Sequence, residues 1–535
     1  MFSRLMGLET EYAIRFTPSK YFKKRRPDHT VVFFAMKEAI SRIVKTCEGE
    51  GLIAAQKKSF FVQNGGAFCY EHLPYAIEDG LLEGQTPECC TPLQLIRYQQ
   101  AQDFLIAKAI PIADEILEYQ GFHGTLAFLK NCKDAKQNIY GAQENYEAQV
   151  ASGWQLFLYR LTSLAMLLIF IPIFLFLIMI SMVFVIGSVV LVPLFVMLKP
   201  RSMSMMDLFG AIGTVIEVTL TFPVYCPLFF FHRLFAFRSL RKQMTAFMVS
   251  RIIFTGAGTL NPLFELSEKA GAIRRLTRFS ILPGDRPIFD TSNIYKYFMD
   301  TFSGGAIKSL VSSKQRFQIS FSDSNMAPIA EYLKVGVTSL IIEMIEQNFI
   351  QDAPQLRNPI VALRIINGDD SLLTSVDTKC GKMTALEIQR FYLEKAKQYS
   401  QETTNIEVRE LVNLWEKVLN DLESSRQKLI GKIDWITKKF LLEQVADEEF
   451  SVRKKMDLRY HELNSGYFAQ LQDKIDNLRL FDEQQIDEAI FSPPGNTPAF
   501  FRGNLISGSH DLDLRVGWKH AKGKDGRVVS FYRKK

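Results

Sequence analysis

Apolar and polar residues alternate in short bursts along the first part of the chain, and the earliest burst is the most regular. Leu8-Glu9-Thr10-Glu11-Tyr12 changes character at every step. In a strand, side chains two apart share a face. A strand from Leu5 to Ala13 is therefore expected to carry Glu9 and Glu11 on one side and Leu8, Thr10 and Tyr12 on the other. Phe60-Phe61-Val62 leads into the turn Asn64-Gly65-Gly66, and Ala67 to Glu71 continues as a strand. From Gln99 to Glu118 apolar residues recur at helical spacing, with Pro92 suited to a first turn. Gly124 to Lys130 has the length of a buried strand. Up to about Gly153 the pattern is α+β.

The pattern then breaks. Leu161 to Leu198 holds no charged residue over 38 positions. As one helix it would be about 57 Å long, against a hydrocarbon core of about 30 Å. A second apolar stretch, Leu208 to Phe231, is interrupted by Glu217, Pro223 and Pro227. Core helices rarely run so far without a polar face, so a transmembrane helical hairpin is expected, with spans at 161–198 and 208–231. Five basic residues flank it (Arg160, Arg233, Arg238, Arg241, Lys242), against Lys199 and Arg201 in the loop. By the positive-inside tendency the flanks are cytoplasmic.

Beyond the insertion, Phe317 to Phe321 alternates as a half-buried strand and runs into Ser322-Asp323-Ser324-Asn325. Tyr332 to Gln347 reads as an apolar helix, and Thr384 to about Leu480 is chiefly helical. Its row of Leu411, Leu414, Trp415, Val418 and Leu422 suits core packing. Pro493-Pro494-Gly495 precedes a short β-like tail with Trp518. Four parts follow: 1–153, the first part of a catalytic sheet domain; 154–240, the insertion; 241–480, the rest of that domain; and 481–535, a small C-terminal domain.

Composition adds exclusions. A net charge of +7 over 535 residues gives no reason to expect a nucleic-acid partner. Seven scattered cysteines without a Cys-x-x-Cys pair fit a reducing compartment. Met1-Phe2-Ser3-Arg4 runs directly into a strand, so no cleavable signal peptide is expected. Chemistry enters with the opening strand: two carboxylates side by side repel unless a cation lies between them, and a hard ion such as magnesium is the usual solution.

Several segments then stand in a telling order. They are Met6-Gly7-Leu8-Glu9-Thr10-Glu11-Tyr12, Asn64-Gly65, Leu82-Glu83-Gly84-Gln85-Thr86-Pro87-Glu88-Cys89, Phe128-Leu129-Lys130-Asn131 and Tyr140-Gly141-Ala142-Gln143-Glu144-Asn145-Tyr146. After the insertion come Gly256-Ala257-Gly258, Ser322-Asp323-Ser324-Asn325-Met326, Ile433-Asp434-Trp435, Tyr460-His461, Phe501-Arg502-Gly503 and Trp518. Together they resemble the Pup ligase and depupylase family of glutamine-synthetase-like carboxylate–amine ligases.

The resemblance implies a glutamine-synthetase-like curved antiparallel sheet flanked by helices, cradling ATP and Mg2+. It makes Glu9 and Glu83 metal ligands with Glu11 beside them, and Thr86 and Trp518 nucleotide contacts. Glu144 becomes a weaker candidate within Gln143-Glu144-Asn145-Tyr146. The family's asparagine–glycine strand carries an arginine, a tyrosine and a catalytic aspartate, where this chain has Ala67, Cys69 and Glu71. Glu71 is the implied base, with Glu78 and Asp79 as rivals.

Three functions remain open. The first is an ATP-dependent ligase that phosphorylates a glutamate γ-carboxylate and joins it to a protein lysine, with a glutamate-ended Pup-like modifier and lysine-bearing targets as partners. The second is an amide hydrolase of the depupylase type. The third is an impaired nucleotide-binding adaptor. With the hairpin, each is expected as a multi-pass protein of the inner membrane, in contact with the lipid bilayer and with its catalytic part in the cytoplasm.

Overall fold

The opening alternation becomes the central strand of a large sheet. In the computed structural model, β1 (Met6–Pro18) buries Met6, Leu8, Thr10 and Tyr12 and leaves Glu9 and Glu11 on the other face. The structure describes residues 4–22, 25–73, 79–134, 138–168, 230–231, 233–277, 286–290, 307–472, 474–475, 478–509 and 514–531, with isolated positions between 172 and 227.

Twelve further strands join β1. They are β2 (Thr46–Gly49), β3 (Phe60–Val62), β4 (Ala67–His72), β5 (Gly80–Gln85), β6 (Gly124–Leu129), β7 (Ala142–Gln149), β8 (Arg275–Thr277), β9 (Pro287–Asp290), β10 (Lys314–Ser322), β11 (Arg515–Val516), β12 (His520–Lys522) and β13 (Val528–Ser530). Their spatial order is β8-β9-β10-β7-β1-β5-β4-β3-β2-β11-β12-β13, with β6 on the far half of β1. Most joins are antiparallel, as expected, but β8–β9 and β2–β11 are parallel, so the sheet is mixed. The tail beyond Pro494 extends this same sheet and forms a small second core of Phe61, Ala67, Ile506, Leu514, Val516, Ala521 and Phe531.

The buried face of β1 meets the helix Pro92–Tyr119. Pro92 sits in its first turn, and the Thr91 hydroxyl caps it by accepting from the Gln94 amide at 3.2 Å. Tyr12 reaches into that helix, its hydroxyl 2.5 Å from Asp103 Oδ1, and Gln102 donates to it at 2.9 Å. The helix Pro328–Glu346 is buried along nearly its whole length. Ile406–Ser424 packs through Leu411, Trp415, Val418 and Leu422, the row expected in the core. Gly336 packs closely there: a Cβ would lie 2.8 Å from Leu411 Cδ1, so the leucine side chain would have to shift to admit one.

Motifs far apart in sequence meet in buried polar knots. Asp323 accepts from the amides of Ala257, Glu268 and Lys269 at 2.8, 3.2 and 3.0 Å. Asp434 accepts from the amides of Met326 and Ala327, the side chain of Asn325 and the Tyr460 hydroxyl. Lys438 donates to Glu268 at 3.1 Å and pairs with Asp457 at 2.8 Å, beside His461.

The expected membrane placement is corrected. Among the described residues no helix is long and apolar enough to cross a membrane. Both expected spans, and Glu217 within them, lie for the greater part outside the described residues. What is described at the ends of the insertion docks on the catalytic body. Residues 153–168 are helical, and Tyr159 is buried with its hydroxyl 3.2 Å from Gln315 Oε1. Tyr159 also stacks on Phe231 with ring centroids 5.6 Å apart, so the two ends of the insertion meet. The inner-membrane location and the lipid bilayer as partner are not retained.

Candidate active site

Strand register decides which acids stand together. Glu11 is the direct partner of Glu83 across β1 and β5, and Glu9 is the partner of Gln85. Across β5 and β4, Glu83 faces Cys69 and Gln85 faces Ala67, with Glu71 two residues on from Cys69. Paired residues in an antiparallel ladder point to the same side. Glu9, Glu11, Glu83, Cys69 and Glu71 therefore share one face.

The same rule carries that face outward in both directions. Ala67 pairs with Phe61, whose ring meets Trp518 edge-on at 5.1 Å. On the other side Glu9 pairs with Gln143 of β7. Arg316 of β10 reaches back, donating to Glu9 Oε1 at 2.5 Å and to Asn145 Oδ1 at 2.6 Å.

Each carboxylate has different company. Glu83 is almost fully buried and accepts from Gln85 at 2.8 Å, from the Cys69 thiol at 3.3 Å and from Lys57 at 3.2 Å. Burial alone would raise its pKa, but the Lys57 charge and these hydrogen bonds outweigh it and hold it below the usual carboxylate range. Glu71 pairs with the same Lys57 at 2.5 Å, yet burial and the charge of Glu83 leave its carboxyl raised. Glu11 accepts from the Gly141 amide at 2.7 Å, and among the described residues no cation pairs with it directly. Burial lifts it to about 7, with Lys269 pulling down and Glu83 and Glu71 pushing up.

Thr86 is buried, and its hydroxyl accepts from the Leu8 amide at 3.0 Å, so it pins the end of β5 to β1. Trp518 is half-exposed under the Arg502 guanidinium, 4.6 Å from its ring. Arg502 also donates to the Gly65 carbonyl at 2.9 and 2.7 Å and pairs with Glu88, which locks the tail to the Asn64–Gly66 turn. Gly65 takes φ +86°, and a Cβ there would lie 2.7 Å from the Ala499 carbonyl.

Glu144 stands apart. It pairs with Leu8, on the buried face, and is held between Arg251, Ser322 and Tyr146. The polar residues of that run on the site face are its neighbours Gln143 and Asn145, which the alternation of β7 identifies. Arg316 escaped sequence reasoning although it opens the Phe317–Phe321 alternation, and Lys57 sits in a turn where no period points to it. Glu78 lies outside the described residues, and Asp79 immediately precedes β5.

The family model for the Pup-ligase protein matches residues 4–522. The chain belongs to the Pup-ligase family. It is accordingly an enzyme of the ligase class. The Pup–protein ligase of Acidimicrobium ferrooxidans is 24% identical over 98% of this chain and 93% of its own length. That of Mycolicibacterium smegmatis is 26% identical over 98% and 94%. A depupylase from Acidothermus cellulolyticus is 28% identical, but over 51% of this chain and 55% of its own. The crystal structure of the complex between Pup and its ligase PafA superposes with a TM-score of 0.69 at 22% identity, covering 99% of this chain and 89% of that one. PafA in complex with ADP gives 0.62 at 21% identity, covering 95% and 90%. The Pup-ligase fold thus runs through both sides of the apolar block.

A hard divalent cation fits this face of the family member in donor chemistry and charge. Four carboxylates share that face, and burial, with the charges of Glu83 and Glu71, raises the Glu11 carboxyl to about 7. Among the described residues no three acidic, histidine or cysteine groups form a ready-made cage. Arg316 and Lys57 hold Glu9 and Glu83 instead.

Proposed function

We propose that this Pup-ligase family member is an ATP-dependent, isopeptide-forming ligase that activates the γ-carboxylate of a glutamate ending a small Pup-like protein and joins it to a target lysine. The observation that carries the reading is the one-sided cluster of Glu9, Glu11, Glu83 and Glu71 beside Trp518. Alignment over nearly the whole chain with Pup–protein ligases, against half of it with a depupylase, supports the ligase direction.

In this reading Glu9, Glu11 and Glu83 hold Mg2+, which when bound neutralises the phosphates of ATP and favours phosphoryl transfer to the carboxylate. Trp518 offers an apolar face to the nucleotide, and Thr86 keeps β1 and β5 in register beneath it. Arg316, which pairs with Glu9, supplies a guanidinium of the kind that pairs with a phosphate oxygen. Glu71 takes the proton from the incoming lysine. It already accepts an ammonium, that of Lys57, at 2.5 Å, and its raised pKa makes it a stronger base than a free carboxylate.

The test is conjugation of a glutamate-ended small protein to a lysine-bearing acceptor, followed together with ADP release. Glu71→Gln should slow conjugation at least about 100-fold while leaving Mg-ATP binding intact. Cleavage of a preformed conjugate with no ligation would move the chain to the hydrolase reading. Nucleotide binding without either reaction would leave only the adaptor.

A further inference from the structure

The four carboxylates of the site face are not equally open. Both oxygens of Glu83 are taken by the chain: Oε1 accepts from Gln85, and Oε2 accepts from Cys69 and Lys57. Lys57 also holds Glu71 at 2.5 Å, so one ammonium bridges the two acids. At the other end, Arg316 and Asn145 both address Glu9 Oε1, and Gly141 addresses Glu11 Oε2. Glu9 Oε2 and Glu11 Oε1 have no hydrogen-bond donor among the described residues.

Lys57 is not a surface lysine that happens to lie nearby. Its carbonyl accepts from the Tyr70 amide at 2.8 Å, which fastens the turn to β4 between Cys69 and Glu71. The helical turn Leu52–Gln56 before it is closed by Lys58 and Ser59, whose amides donate to Ala55 and Ala54. Lys58 takes φ +52° and lays its ammonium over the rings of Tyr70 and Phe34, at 5.0 and 5.2 Å. That reversal sends the two lysines apart, and Lys57 alone enters the site.

We infer that Lys57 is a resident counter-cation of the active site, occupying between Glu71 and Glu83 the place a second divalent ion would otherwise take and leaving the metal to the side where Glu83 faces Glu9 and Glu11. The inference rests on the metal reading of these carboxylates proposed above. A fixed ammonium repels a second cation a few ångströms away and is not lost to a chelator.

The experiment is Mn2+ binding to the nucleotide-free protein, read as free-ion signal by electron paramagnetic resonance. Lys57→Met should bind one more equivalent of Mn2+ than wild type, or bind it about ten-fold more tightly. Lys57→Arg should behave as wild type, and Lys57→Met combined with Glu71→Gln should lose the gain. Lys57→Gln repeats the test with a polar stem should the methionine variant not fold, which a circular-dichroism melt checks. Unchanged stoichiometry and affinity in the neutral variants would overturn the inference while leaving the metal reading standing. Absence of Mn2+ binding in every form would overturn both.

Discussion

The two faces of the central strands both carry buried acids, and what surrounds those acids separates scaffold from site. On the inner face Glu144 meets Arg251 in a bidentate pair with Ser322 and Tyr146 around it. In the neighbouring knot Glu268 and Asp457 share Lys438. Burial would raise all three pKa values, yet the matched cations hold Glu144, Glu268 and Asp457 below the usual carboxylate range. On the outer face Glu11 and Glu71 are raised instead, because burial and like charge exceed what the chain supplies, while Glu83 between them is held down by Lys57. On the inner face the chain itself balances these three acids, which marks them as structural. In the proposed reading, the surplus acids of the outer face are where an external cation and substrate bind.

The contrast can be broken most forcefully on the inner face. Glu144→Ala leaves the Arg251 guanidinium buried and unpaired, and should cost about 3–5 kcal/mol, seen as a large fall in thermal unfolding temperature whether or not ATP is present. A small change there would mean that the pair is not structural.

The pH dependence should run in opposite senses on the two faces. Glu268 has a depressed folded pKa, so its stabilisation is present above the ordinary carboxylate range and is lost as pH falls through the folded value. Glu11 has a raised one, so the folded form holds its proton more tightly, and stability declines as pH rises from about 4.5 to about 7. In chelator, urea midpoints should show Glu268→Gln flattening the acid limb. Glu11→Gln should be more stable than wild type at pH 8, by up to about 3 kcal/mol, with the gain gone at pH 4. A gain independent of pH would break the comparison. The smallest effect is expected at the edge of the site, where Trp518→Ala should raise the KM for ATP by about ten-fold and leave kcat nearly unchanged.

Much of this was legible in the chain. The alternation of Leu8 to Tyr12 placed Glu9 and Glu11 correctly on one face, because a period of two is a local property of a strand. The helical row of Leu411 to Leu422 was legible for the same reason. The cross-strand partners were not, since the facing of Glu11 and Glu83 depends on a register set across 72 residues of chain. Glu144 was drawn into the candidate site by its motif, whereas the alternation within Gln143-Glu144-Asn145 assigns it to the scaffold and its neighbours to the site. Lys57 left no periodic trace, and only the close contact of its turn with β4 brings it in. The apolar block misled in a different way. A charge-free run predicts lengths and environments, but among the described residues it yields no helix that spans a membrane, only two ends packed against the catalytic body.

The most direct test of the central claim compares Mg-ATP binding, by isothermal titration with and without chelator, in wild type, Glu9→Gln and Glu83→Gln. The surplus-charge account predicts magnesium-dependent ATP binding in wild type. In each variant, affinity should be weakened about 100-fold while the unfolding temperature stays close to wild type. Equal Mg-ATP affinity in all three proteins would contradict it.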